Sequence, residues 1–142
     1  MTDSKDDQPI EPTEAQIATL LSSDTQGPFH FVNLLKFREI ADYPADHPLA
    51  GKAITGEEAY RTYGMVAHAH VTKRGGRLVT LNSVQQQLIG NSQEWHQVAT
   101  MEYENIEAFM DMISDPDYVE SLAHRDAGLE ATEVFVTRPI IS

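Results

Sequence analysis

The chain has 142 residues, no cysteine and a formal net charge of −12, from 22 acidic and 10 basic side chains. This length fits one domain, and the lack of cysteine excludes disulfides, thiolate nucleophiles and cysteine-based zinc sites. The acidic field repels phosphate backbones, so we expect no nucleic-acid partner. No apolar run reaches the ~20 residues that a membrane helix needs, and the polar N-terminus lacks a signal-peptide pattern. These features favour a cytoplasmic protein that binds no membrane.

The first predicted elements are a lead-in and a short helix. Residues 1–11 are polar and acidic, and we expect them to be a disordered lead-in to a single domain over residues 12–142. Thr13 and Gln16 have the spacing of a capping box, which predicts the start of a helix.

The next predicted elements are a strand, a loop and a long helix. Phe29–Phe37 is apolar on both faces, which is typical of a central strand covered on both sides. Residues 38–55 are loop-like, and loops of this length are usually functional or mobile. Thr55 and Glu58 form a second capping box. The helix that they begin is predicted to end near Lys73, before two glycines.

The second half of the chain predicts a hairpin, two helical segments and a last strand. Turn residues and apolar patterning place these elements in the order Arg77–Ile89 (strand), Gly90–Ser92 (hairpin turn), Glu94–Tyr103 (strand), a helix capped by Asn105, a helix opened by Asp115 and Pro116, and Leu129–Thr137 (strand).

The element order predicts the fold class. After the N-terminal helix, the order β-α-β-β-α-β is that of a ferredoxin-like α+β domain with a four-stranded antiparallel sheet and its helices on one face. The other face must also be covered, because Phe29–Phe37 has no polar side. A second copy of the sheet is the simplest cover, so we expect a homodimer that pairs through the sheet face.

An ordered set of short motifs resembles the domain of unknown function 1330 family. The motifs are Gly27–Arg38, Glu58–Tyr60 with Tyr63, Gly75–Arg77, Ile89–Gly90, Glu94–Trp95, Asp115–Tyr118 and His124–Leu129. The resemblance covers roughly residues 13–139 and implies a dimeric α+β barrel, a superfamily that includes cofactor-free monooxygenases, haem-degrading enzymes and small isomerases. The chain departs from the family pattern at His96, where the family commonly has Asp, and after Tyr103, where Glu-Asn replaces Pro-Ser.

Two residues are candidates for catalysis. Asn33 interrupts the most apolar strand, and a buried amide there either bonds a neighbouring segment or points into a cavity. His124 follows an apolar helical stripe and is a candidate base. By analogy with cofactor-free monooxygenases of the superfamily, Asn33, Trp95 and His124 form a hypothetical catalytic set that requires all three side chains to approach one cavity. The alternative interpretation of Trp95 is packing at the sheet.

Trp95 and four further residues are candidates for ligand binding. Lys36 points to the face opposite Asn33 and either holds an anion or pairs with a carboxylate. Tyr60 and Tyr63 share the inward face of the second helix, as core residues or as the lining of a pocket. Arg125 lies near the end of a helix, where a cation also complements the helix dipole.

The sequence predicts no metal and no cofactor. His68 and His70 point about 200° apart on a helix and do not converge on one ion. Three functions therefore remain open: a small-molecule-binding or enzymatic dimer with a pocket between sheet and helices, a cofactor-independent monooxygenase or isomerase, and a non-catalytic dimeric interaction domain.

Overall fold

The computed structural model describes residues 9–23 and 27–141. Its elements are, in chain order, α1 (Glu14–Ser22), β1 (Phe29–Phe37), α2 (Gly56–Lys73), β2 (Arg77–Ser83), β3 (Gln97–Tyr103), α3 (Ile106–Ile113), α4 (Pro116–Gly128) and β4 (Leu129–Thr137). The predicted lead-in lies outside the described residues except for positions 9–11. Within them, Ile10 packs against the buried cluster of Leu35, Phe37 and Leu129.

The four strands form one antiparallel sheet in the order β2-β3-β1-β4. This order and the preceding helix confirm the predicted α+β class and the ferredoxin-like βαββαβ arrangement, with α3 and α4 in the place of its second helix. The central strand β1 sets Asn33 opposite Ala99 of β3 and Val134 of β4.

The predicted helix starts are confirmed by side-chain caps. Thr13 and Gln16 form a capping box at α1, and Thr55 and Glu58 form one at α2. Asn105 caps α3 by accepting the backbone N–H of Ala108 at 2.8 Å. These bonds satisfy first-turn N–H groups that have no partner inside the helix. No helix within residues 9–23 and 27–141 is both long and apolar enough to cross a membrane.

The two faces of the sheet differ in how they are covered. On β1, Phe29, Leu35 and Phe37 are buried beneath the helices. Because side chains alternate along a strand, Val32 and Leu34 point to the opposite face, where both are half-buried. We call this second face the open face.

The predicted hairpin is wrong in its extent. β2 ends at Ser83 and β3 begins at Gln97, so residues 84–96 form a long connection. Leu88 and Ile89, predicted to lie in a strand, are 80% and 88% exposed. The connection is held by His96, whose backbone N–H donates to the Leu35 carbonyl at 2.8 Å.

Candidate functional site

Three tyrosines from α2 and α4 meet between the helices and the sheet. Tyr60 and Tyr63 are three residues apart on α2 and therefore share one helix face, with ring centroids 5.3 Å apart. Tyr118 of α4 approaches Tyr63, and their hydroxyl oxygens lie 2.8 Å apart. We call this group, together with Arg125, the tyrosine cleft.

Arg125 brings a positive charge to the tyrosine cleft. Burial raises the pKa of Tyr60, of Tyr63 and of Tyr118, and the charge of Arg125 partly opposes the rise at all three. The three hydroxyls therefore stay protonated at neutral pH and can donate hydrogen bonds.

Arg125 is only loosely paired with a carboxylate. The Arg125 side chain is 17% exposed, and its ion pair in the described chain is a 3.8 Å contact to Asp126. Burial raises the pKa of that carboxyl group, although Arg125 acts in the opposite direction. A guanidinium that is largely removed from water normally has closer acceptors, so Arg125 retains unused donor capacity.

Two glycines allow α2 and α4 to approach closely enough to form the cleft. A Cβ atom at Gly128 would lie 2.5 Å from the carbonyl oxygen of Gly56 and 2.9 Å from the backbone nitrogen of Tyr60. A Cβ atom at Gly56 would collide with the backbone of Arg38. The spacing of the tyrosine cleft therefore depends on the missing side chains at both positions.

Asn33 lies on the face of the sheet that the helices cover. Its Nδ2 group donates to the carbonyl oxygens of Phe31 at 3.2 Å and of Ala99 at 3.0 Å. Its Oδ1 atom has no hydrogen-bond partner within the described chain, and it is not among the buried unpaired atoms, so it faces accessible space. Ala99, the strand partner of Asn33, packs against the same buried cluster as Tyr60 does.

His124 points to the loop of residues 38–55. Its Nδ1 atom lies 2.7 Å from the hydroxyl of Tyr43, and the ring of His47 stacks on Tyr43 with centroids 4.5 Å apart. Burial, and then the neighbouring His47, lower the pKa of His124. The loop is also tied to α4 by the Asp42 N–H, which donates to the Ala127 carbonyl at 2.9 Å.

The structure does not bring Asn33 and His124 together through any described contact. Trp95 is half-buried in the connection before β3, which begins at Gln97, so it lies outside the strand that the sequence predicted to start at Glu94. Lys36 lies on the open face, where its Nζ contacts Glu130 at 3.2 Å and Gln93 at 3.1 Å. Of its two predicted roles, the structure shows the carboxylate pair.

Sequence analysis missed Tyr118 and Tyr43 as parts of these groups. Tyr118 precedes Arg125 by seven residues, so the two share one face of α4, and this spacing was a usable signal. Tyr43 gave no such signal, because its partner His124 lies 81 positions away in the sequence.

The described residues contain no group of three or more His, Cys, Asp or Glu side chains that could hold a metal ion. His70, considered above with His68, is instead bonded within the protein. Its Nε2 atom lies 2.7 Å from Asp117, and its Nδ1 atom lies 3.0 Å from Arg74.

The fold and the tyrosine cleft define a ferredoxin-like α+β protein whose helices carry a group of packed tyrosines and an arginine next to the sheet. The model of the family described as a domain of unknown function, DUF1330, matches residues 49–139, and the chain belongs to this family.

Two solved structures are similar to this chain in sequence and in fold. The methylated RPA0582 protein is 33% identical, with a TM-score of 0.85 over 94% of this chain and 96% of that one. RPA0582 from Rhodopseudomonas palustris, described as a protein of unknown function, is 32% identical, with a TM-score of 0.84 over 95% of this chain and 99% of that one. A comparison with curated proteins finds no significant match.

Proposed function

We propose that this protein binds a small aromatic carbonyl compound in the tyrosine cleft, and that it does so as a homodimer. The observation that supports the ligand is Arg125, a largely buried guanidinium beside three tyrosine hydroxyls with only a 3.8 Å carboxylate contact in the described chain.

The chemistry of the cleft selects the ligand class. Arg125 and the protonated hydroxyls of Tyr60 and Tyr63 supply donors, so they favour a ligand that presents an acceptor such as a carbonyl oxygen. The accessible Oδ1 atom of Asn33 adds an acceptor, which suits a hydroxyl group elsewhere on the ligand. The aromatic rings favour a planar body between these two ends.

The geometry supports binding more directly than catalysis. His124, the candidate base, is hydrogen-bonded to Tyr43 at the loop, and both hydrogens of the Asn33 amide are bonded to backbone carbonyls. A binding role needs only the donors and acceptors of the cleft, whereas an oxygenase or isomerase role also needs a base that reaches the ligand.

The proposed homodimer forms through the open face. Val32 and Leu34 of β1 are flanked there by Val98 of β3, and Phe135 of β4 is 52% exposed. A patch of this kind at the middle of a sheet favours a partner with the same patch, because a two-fold interface is self-complementary.

The ligand proposal is tested by calorimetric titration with 4-hydroxyacetophenone and with 4-ethylphenol, which keeps the ring and hydroxyl but lacks the carbonyl oxygen. We expect the ketone to bind and Arg125→Gln to weaken it at least about tenfold. Arg61→Gln, on the exposed side of α2, is the matched control and should leave binding unchanged. Equal affinity for the two compounds would contradict the role of the carbonyl group.

A further inference from the structure

The segment that precedes α1 packs on the helix-covered side of the sheet, where Tyr60 also packs. Ile10 is half-buried there against a cluster that Tyr60 contacts from α2, and the cluster consists of Leu35, Phe37 and Leu129. The ring centroids of Phe37 and Tyr60 are 5.4 Å apart. Ile10 therefore shares a small apolar surface with a member of the tyrosine cleft. We call residues 9–11 the N-terminal strap.

Glu11 gives a second, independent position for the strap. Burial raises the pKa of the Asp126 carboxyl group, Arg125 opposes the rise, and the charge of Glu11 adds to it. Glu11 must therefore lie near Asp126, because charge interactions weaken with distance. Asp126 is the carboxylate that contacts Arg125 at 3.8 Å. The strap thus relates to both ends of the tyrosine cleft, with Ile10 on the Tyr60 side and Glu11 on the Arg125 side.

The strap is held mainly by one apolar side chain. Among the described residues, no hydrogen bond joins residues 9–11 to the sheet or to the other helices. The helix that follows, α1, has no buried residue, and its Leu21 is 49% exposed. Glu11 and Asp126 are both acidic, so their repulsion opposes this position. A segment with so few contacts can lift without unfolding of the domain.

From these positions we infer that the N-terminal strap is an autoinhibitory contact, in which Ile10 occupies the surface beside Tyr60 that the ring of the ligand takes when it binds. The regulatory role of the strap rests on the proposed ligand of the tyrosine cleft. A site that its own chain covers binds with an affinity reduced to the fraction of molecules in which it is open, so a variant with a lifted strap binds more tightly. If the strap closed over bound ligand instead, loss of Ile10 would weaken binding.

The experiment compares the unmodified protein with Ile10→Asn, which removes the apolar anchor and adds no charge near Arg125. In calorimetric titration with 4-hydroxyacetophenone, we expect Ile10→Asn to bind about three- to tenfold more tightly. Without ligand, a soluble paramagnetic probe should broaden the NMR methyl signals of Leu35 and Leu129, which are 1% and 0% exposed, more strongly in Ile10→Asn than in the unmodified protein. Leu21→Asn makes the same change on α1 and should alter neither measurement.

The ligand-free signals separate the strap from the proposed ligand. Equal ketone affinity in the two proteins, or weaker binding by Ile10→Asn, would overturn the strap and leave the proposed function standing. Equal broadening of Leu35 and Leu129 in the two proteins would also overturn it, because Ile10 would then not cover this cluster. Ile10→Ala, a milder change, should move both measurements in the same direction by less. If neither protein binds the ketone at millimolar concentration, the proposed function itself fails, and autoinhibition fails with it.

Discussion

The hydroxyl oxygens of Tyr63 and Tyr118 lie 2.8 Å apart, so one tyrosine donates to the other between α2 and α4. Both side chains are largely removed from water, and burial raises the pKa of each. This bond fixes the direction of two hydroxyls beside Arg125, which makes the pair part of the proposed site as well as part of the core.

Tyr63→Phe should destabilise the protein by about 1–2 kcal/mol, because it keeps the ring but leaves the hydroxyl of Tyr118 without its partner. The double variant Tyr63→Phe with Tyr118→Phe should cost less than the sum of the two single variants. Urea unfolding of the four proteins measures this coupling. Strictly additive losses would show that the two hydroxyls do not depend on each other.

The close approach of α2 and α4 gives a second prediction. Gly128→Ala should destabilise the fold by about 1–3 kcal/mol, because the added methyl group would meet the backbone of Gly56 and Tyr60. Gly64→Ala is the matched control within α2, since no atom lies within 4 Å of the place that its new methyl group would take. That control should stabilise the helix by about 0.5–1 kcal/mol. Thermal unfolding that ranks the two variants the other way would contradict the packing.

His124 gives a prediction about pH. Its pKa in the folded protein is lowered by burial and by His47, while Glu120 acts in the opposite direction. As the pH falls below the ordinary histidine value of about 6.5, the unfolded chain takes up this proton before the folded protein does, so stability is lost on acidification. Compared with the unmodified protein, His124→Gln should lose less stability between pH 7.5 and pH 5.5.

The measurement for His124 is the free energy of unfolding in urea at both pH values. His68→Gln, an exposed position on α2, serves as the control and should show the same pH dependence as the unmodified protein. If His124→Gln also follows the unmodified protein, the histidine does not contribute to acid sensitivity.

His96 explains how the chain tolerates a departure from its family pattern. Its Nδ1 atom accepts the backbone N–H of Phe37 at 3.0 Å, at the irregularity where β1 changes register against β4. An aspartate carboxylate can accept the same hydrogen bond, so His96→Asp should stay within about 0.5 kcal/mol of the unmodified protein. His96→Ala should cost about 1–2 kcal/mol and speed hydrogen exchange at the Phe37 amide. Equal exchange rates in both variants would contradict this role.

The proposed dimer is tested on the open face. Phe135→Glu places a charge at the centre of the patch, so light scattering should report a monomer where the unmodified protein is a dimer. Met65→Glu changes an apolar side chain that is 70% exposed on α2, away from the sheet, and should leave the dimer intact. A monomeric unmodified protein at micromolar concentration would contradict pairing through this face.

The parts of the fold that follow local rules were predictable from sequence. Thr13, Thr55 and Asn105 act as helix caps because their side chains reach backbone groups three residues away, and β1 was recognisable from its apolar run. The connection over residues 84–96 was not predictable in this way. Its course is set by the bonds of His96 to Leu35 and Phe37, about 60 residues earlier in the chain.

In the candidate site too, some features follow from local sequence and others depend on contacts between distant parts of the chain. Tyr60, Tyr63 and Arg125 were recognisable as candidates from their helix faces, but only the fold shows that they meet and that Tyr118 joins them. For Lys36, sequence left an anion site and an ion pair open, and only the fold shows that Glu130, on a strand remote in sequence, lies 3.2 Å from its Nζ atom.

The measurement that tests the central claim most directly is an amide chemical-shift map of the protein titrated with 4-hydroxyacetophenone. We predict shifts centred on Asn33, Tyr60, Tyr63 and Arg125, with the largest changes lost in Arg125→Gln. Saturable binding with shifts confined to other parts of the molecule, or no binding at millimolar ligand, would contradict the tyrosine cleft as the ligand site.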